Sequence, residues 1–140
     1  MNYMLVFFSR GGSTGKIAHV IAEELGCTAV DVKTSSPDVS NADMLVVGSG
    51  TYGSKPGKEL VAFLENLPTV TRKKAACFSS CGRDASKTLA MMQELLVSKG
   101  YAIADCFSCF GKASIFMRGH PTADELNQAK EWARKLKTSA

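Results

Sequence analysis

No stretch of this chain approaches the roughly 20 consecutive apolar residues that crossing a bilayer requires. The amino terminus has neither the basic start nor the small-residue cleavage site of a secretory signal. Its 17 basic and 13 acidic residues give a formal charge of +4, but the basic residues are scattered and form no block suited to a nucleic-acid backbone. Two histidines are present, His19 on a helical stretch and His120 in a turn, too few to favour a metal site. The cysteine count of five is odd. Without an extracellular context that argues against a disulfide framework and for free thiols in a reducing cytoplasm. No internal repeat, linker or low-complexity segment divides the sequence. These absences leave a cytoplasmic chain without membrane or nucleic-acid partners. Its 140 residues and 45% hydrophobic content suffice for a single domain over residues 1–140 with its own core.

What is present begins with Tyr3-Met-Leu-Val-Phe-Phe8, a continuous apolar run rich in β-formers, as in a strand buried on both faces. Ile17, Ala18, Ile21, Ala22 and Leu25 then recur at helical spacing. Between them lies Ser9-Arg10-Gly11-Gly12-Ser13-Thr14. A loop of glycines and hydroxyls between a buried strand and a helix start is a ready anion site. The helix leaves its first amides unpaired, its dipole favours negative charge, and glycine lets the backbone close around a phosphate. The plainer reading is that Ser13 or Thr14 caps the helix and the glycines merely turn. Two other phosphate patterns do not fit. A P-loop needs Ser or Thr after Gly-Lys, where Ile17 follows Gly15-Lys16, and a glycine where Arg10 stands. The dinucleotide fingerprint also needs glycine at Arg10. Asp31, near where a ribose-binding acid would sit, keeps a nicotinamide dinucleotide only as a rival.

The remaining pattern alternates. Strands are predicted near 3–8, 28–33, 44–48, 75–79 and from 101 towards 110. Helices are predicted near 14–25, 57–66 (with Leu60, Ala62, Phe63 and Leu67 inward), up to Gly100 (with Leu89, Met92, Leu95 and Leu96), and from Thr122. The last carries the capping-box pattern Thr122-Ala-Asp-Glu125 after Pro121, and Leu126, Ala129, Trp132, Ala133 and Leu136 on one face. Alternation of this kind implies an open parallel sheet with helices on both faces. Ligands of such sheets bind beyond the carboxyl ends of the strands. Three loops there, 9–14, 48–54 and 79–84, are rich in Gly, Ser and Thr.

With these three loops in order, the whole chain resembles a short-chain flavodoxin. Ser9, Gly12 and Thr14 match the family's Thr/Ser-x-Thr-Gly-x-Thr phosphate signature, with Gly11 where a hydroxyl residue is usual and Ser13 where asparagine is common. Gly48-Ser-Gly-Thr-Tyr-Gly53 resembles the second flavin loop, Ser79-Ser-Cys-Gly82 falls at the third, and Gly119-His-Pro-Thr122 resembles the family's ending. The resemblance implies a flavodoxin-like three-layer sandwich, a five-stranded parallel sheet in the order 2-1-3-4-5, and one non-covalent FMN without metal. It implies that Ser9, Arg10, Gly11, Gly12, Ser13 and Thr14 wrap the phosphate. Thr51, Tyr52 and Gly53 would border the isoalloxazine ring, and Ser80, Cys81, Gly82 and Arg83 would face its pyrimidine edge. Gly53, or Gly50 in another register, would flip its backbone on reduction so that a carbonyl meets flavin N5, a movement glycine makes cheaply.

The chain departs from the family pattern twice. Residues 79–88 contain no aromatic to stack on the second face of the ring, which Phe110 or Phe116 would then have to cover. And the flavin edge is basic: Arg10, Lys16, Lys55, Lys58, Arg83 and Lys87 lie on or near the loops, with Asp84 the one acid among them. An electropositive edge would raise the flavin potential and favour an acidic, ferredoxin-like partner; a solvated surface screened by salt is the alternative. Cys106-Phe-Ser-Cys109 has thioredoxin-like spacing, but no helix follows it to lower a thiol pKa, and residues three apart on a strand face opposite ways. Cys81 and Cys109, on neighbouring strands, are the pair expected to approach the flavin edge.

Three functions remain. The first is an electron carrier passing low-potential electrons between redox proteins through FMN, with no catalytic residue of its own. The second is a small NAD(P)H-dependent FMN quinone reductase on the same fold. The third is a flavodoxin-like module that has lost FMN and serves as a signalling or maturation partner.

Overall fold

The structure, a computed structural model, describes residues 1–81, 84–110 and 121–138. Five strands, β1 (Tyr3–Phe8), β2 (Ala29–Asp31), β3 (Met44–Gly50), β4 (Lys73–Cys81) and β5 (Tyr101–Phe110), alternate with helices α1 (Ser13–Leu25), α2 (Lys58–Glu65), α3 (Ser86–Ser98) and α4 (Ala123–Thr138). All strand pairs are parallel, in the order β2-β1-β3-β4-β5. This is the doubly wound sandwich expected from the alternation.

The apolar run of β1 is split by strand alternation. Leu5 and Phe7 join Ile17, Ala18 and Ile21 of α1 and Ala129, Trp132 and Leu136 of α4 on one face of the sheet. Val6 and Phe8 join Leu60 and Leu64 of α2 and Met92 and Leu96 of α3 on the other. All seven residues of the central strand β3 are buried. Phe78 on β4 lies opposite Gly48 on β3, and its ring fills the space a side chain at Gly48 would need: a Cβ there would come within 2.0 Å of the ring.

The ends of the helices follow the sequence signals closely. Thr122 N–H donates to the Glu125 carboxylate at 2.8 Å, and Glu125 N–H donates to Thr122 Oγ1 at 3.2 Å. This is the reciprocal box that the sequence predicts. Gly26 ends α1 with φ 75°, and Cys27 N–H donates to the Ala22 carbonyl at 2.9 Å, a left-handed glycine stop.

Helix α2 corrects one expectation. Ala62 is exposed and Phe63 half-buried, whereas Leu64 is fully buried with Leu60 and Leu67. The stripe therefore runs i, i+4, i+7, and places Leu64 inward in place of Ala62. β3 and β4 also run further than expected, through Ser49-Gly50 and Ser80-Cys81. Polar residues extend these strands because their ladder continues, Ser49 pairing with Ser79 and Gly50 with Ser80.

Candidate functional site

The site forms where β1, β3 and β4 end. Ser9, one residue beyond β1, is buried, and its Oγ accepts a bond from Gly12 N–H at 3.0 Å. That bond folds 9–12 back on itself. Gly12 takes φ 92° as the N-cap of α1, and no side chain caps the helix. Ser13 and Thr14 lie inside the helix, so the plain capping reading of the loop does not hold. An added Cβ at Gly11 or Gly12 would meet nothing within 4 Å. The loop thus leaves its glycine backbone open to solvent at a helix start, where the helix dipole favours an anion.

Side-chain hydroxyls tie the three expected loops together. Thr14 Oγ1, buried, lies 2.7 Å from Ser80 Oγ, joining the first loop to the third. Thr51 Oγ1 lies 3.1 Å from Ser79 Oγ, joining the second to the third. Arg10 N–H donates to the Tyr52 hydroxyl at 3.0 Å, joining the first to the second. Ser49 Oγ accepts from Gly57 N–H at 2.9 Å and so starts α2. A polar layer of hydroxyls caps the apolar sheet at this edge.

Tyr52 is more constrained than its sequence position suggests. The Arg10 guanidinium lies 4.4 Å over its ring, and Phe8 meets it edge-on at 5.7 Å. Burial pushes its phenol pKa up, against the opposing pull of the Arg10 amide and guanidinium. Beyond it, Tyr52 N–H donates to the Lys55 carbonyl and Lys55 N–H to the Tyr52 carbonyl, at 2.8 and 3.2 Å. Gly53 and Ser54 between them have φ 60° and 66°, as a two-residue primed hairpin turn demands. Gly53 is therefore the exposed turn glycine. Gly50 is fixed in β3 opposite Ser80, with the Tyr52 hydroxyl against its Cα.

Of the basic residues singled out, Arg10, Lys16, Lys55, Lys58 and Lys87 are exposed. Arg83 and Gly82 lie outside the described residues, as do Phe116 and the side chains of Cys81 and Phe110. The edge is less one-sided than the sequence implied, because Glu59 acts on Tyr52 and Asp31 stands at the end of β2 beside Lys33. Lys33 is the residue that sequence reasoning missed. Its ammonium donates to the Ser9 carbonyl at 2.6 Å, at the root of the phosphate-type loop.

Cys81 and Cys109 lie on the neighbouring strands β4 and β5, as expected, with the side chain of Cys81 outside the described residues. β5 carries one extra residue opposite Ala75/Ala76, and this bulge shifts the register by one. Cys109 then lies beside Ser80, and Cys81 beside Phe110, while Cys77 lies beside Cys106. Cys106 packs on the α2/α3 face and Cys109 on the α1/α4 face, which is the opposition expected of residues three apart. A hydrogen bond from Cys77 holds the Cys106 thiol below its ordinary pKa, against burial. The same bond, together with burial, keeps Cys77 protonated. Cys106 is accordingly expected to alkylate with an onset below the pH ~8.5 of a free thiol, with Cys77 protected. Cys77→Ala should move that onset upward; identical pH profiles for wild type and variant would refute the pairing.

Among the described residues there is no cluster of His, Cys, Asp and Glu able to hold a metal, and no helix long and apolar enough to cross a membrane.

The fold is that of a doubly wound α/β protein with a loop of glycines and hydroxyls opening a helix at the carboxyl edge of its sheet. Residues 4–124 match the family model described as a flavodoxin domain, and the chain belongs to that family. It is 33% identical over 135 residues to an uncharacterized protein of Methanocaldococcus jannaschii, covering 89% of each. It is 30% identical over 148 residues to the coenzyme F420H2 oxidase of Methanothermobacter marburgensis, covering 94% of this chain and 34% of the oxidase. In structure it is similar to a flavodoxin of Streptococcus pneumoniae, with TM-score 0.81 and 20% identity over the whole of both chains. FMN is the family's cofactor and that of this chain, and the loop before α1 leaves open space at Gly11 and Gly12.

Proposed function

We propose that this chain is an electron carrier, taking low-potential electrons from one redox protein and passing them to another through FMN. Bound FMN supplies the one- and two-electron chemistry, and the protein supplies binding, exposure and electrostatics. In this reading Ser9, Arg10, Gly11, Gly12, Ser13 and Thr14 hold the phosphate with amides and hydroxyls. Thr51, Tyr52 and Gly53 border the ring, and Ser80, Cys81, Gly82 and Arg83 face its pyrimidine edge. The observation that carries it is the joining, at one edge of the sheet, of the start of α1, the end of β4 and the segment after β3 by Thr14–Ser80, Thr51–Ser79 and Arg10–Tyr52. A single anion-binding turn would not need the other two.

The exposed Arg10, Lys16, Lys55, Lys58 and Lys87 favour an acidic partner of the ferredoxin kind, met in the cytoplasm. The likeness to the F420H2 oxidase supports a flavin redox role for the chain as one domain. Titration with FMN followed by stepwise reduction tests the proposal. Tight 1:1 binding, a spectrally distinct one-electron stage and no turnover with NAD(P)H are expected. Steady NAD(P)H oxidation would make the chain a small quinone reductase instead, and indifference to FMN would end both readings.

A further inference from the structure

We propose that Lys33 is a positioning residue through which the 9–14 loop selects a phosphorylated flavin over an unphosphorylated one. The proposal rests on FMN being held at that loop. Its basis is a gap in the β1–β2 ladder. The ladder pairs Phe7 with Asp31, and Val32 N–H donates to the Phe7 carbonyl at 3.0 Å. The next acceptor along β1 is the Ser9 carbonyl, and the next donor along the second chain segment is Thr34 N–H. That amide turns back to the Asp31 carbonyl at 3.1 Å, so the backbone leaves Ser9 without its ladder partner. The Lys33 ammonium takes the place of that amide, 2.6 Å from the Ser9 carbonyl oxygen.

The ammonium is held there from two further sides. Asp31 Oδ2 lies 3.8 Å away, while its Oδ1 accepts from Lys33 N–H at 2.9 Å. The ring of Phe8 lies 5.6 Å below. A full positive charge therefore replaces a neutral amide at the junction of strand and loop. The carbonyl it grips belongs to the Ser9–Arg10 peptide, whose N–H donates to the Tyr52 hydroxyl at 3.0 Å. A cation on the oxygen of a peptide polarises it and strengthens its N–H as a donor, here to the Tyr52 hydroxyl, and it sets a full positive charge at the root of the loop, where it attracts a phosphate and not a neutral ribityl chain. Lys33 thus fixes the loop's first peptide between a cation and the Tyr52 hydroxyl.

The test titrates FMN and riboflavin into wild type, Lys33→Met, Lys33→Gln and Lys33→Arg, following flavin fluorescence, with thermal melts of the flavin-free proteins. Loss of the charge should weaken FMN binding about 5- to 20-fold and flatten its salt dependence, while riboflavin binding moves less than twofold. Lys33→Arg should restore most of the FMN affinity. Equal losses for both flavins would reduce Lys33 to a structural prop and overturn the proposal, as would unchanged FMN binding in folded Lys33→Gln. Wild type that binds riboflavin and FMN alike also refutes it. Wild type that binds neither flavin instead overturns the cofactor reading, and this proposal with it.

Discussion

Gly48→Ala is expected to destabilise the protein by about 3 kcal/mol, near the upper end of what overpacking a core costs. For a chain of this length that corresponds to a fall in melting temperature of about 10 °C. The added methyl would come within 2.0 Å of Phe78 Cζ, with two more ring atoms at 2.2 and 2.4 Å. Phe78 is fully buried, and its ring meets Trp132 edge-on at 6.5 Å, so it has no free direction of retreat. Backbone shift is equally restricted, since Gly48 is paired on both sides, with Phe7 and with Phe78. Relief must come from the ring itself. Phe78→Leu in the same chain should recover part of the loss, so the double variant is less destabilised than the sum of the singles. Strict additivity in melts of the three variants would show that the methyl and the ring do not meet. Gly11→Ala is the control, with no positive φ and nothing within 4 Å of an added Cβ; it should be neutral or slightly stabilising.

Features set by neighbours in sequence were legible before the structure; features set across strands were not. The strand–loop–helix of β1 and α1 follows from the apolar run and the stripe of Ile17 and Ile21, and the α4 start follows from Thr122 and Glu125 alone. The three site loops could be named because each directly follows a buried strand. Strand order is not written locally, and came from resemblance to a family. Register across β4 and β5 turns on a single residue: an unbulged ladder keeps the spacing of Lys73 and Tyr101 and sets Cys81 beside Cys109. The bulge at Ala75/Ala76 slips the ladder and sets Cys77 beside Cys106 instead. No propensity announces one inserted residue in a strand. Lys33 escaped for a related reason. Its partner is a backbone carbonyl 24 positions away, just past the end of β1, and carbonyls carry no signature in sequence. Tyr52 shows how context redirects a residue. An aromatic in the second loop reads as a stacking platform, yet its hydroxyl and ring are both engaged by Arg10 of the first loop.

Gly11→Asp should separate the site from the fold more sharply than any other single change. Gly11 is exposed, has no left-handed φ, and offers open space to a side chain, so the apo-protein should melt within about 0.5 kcal/mol of wild type. A carboxylate just before the N-cap of α1 even complements the helix dipole. FMN affinity should nonetheless fall about 100-fold or more. At a partly exposed site of effective dielectric near 20, a new negative charge a few Å from a phosphate dianion costs on the order of 2–4 kcal/mol. The carboxylate also competes for the same amides at the start of α1, in effect occupying the anion site with the protein's own side chain. Riboflavin, which carries no phosphate, should lose far less. Raising the salt concentration should narrow the FMN deficit, since screening weakens repulsion between partly exposed charges. If Gly11→Asp bound FMN within a few-fold of wild type, the phosphate could not be held by residues 9–14, and the roles given to the other two loops would fall with it.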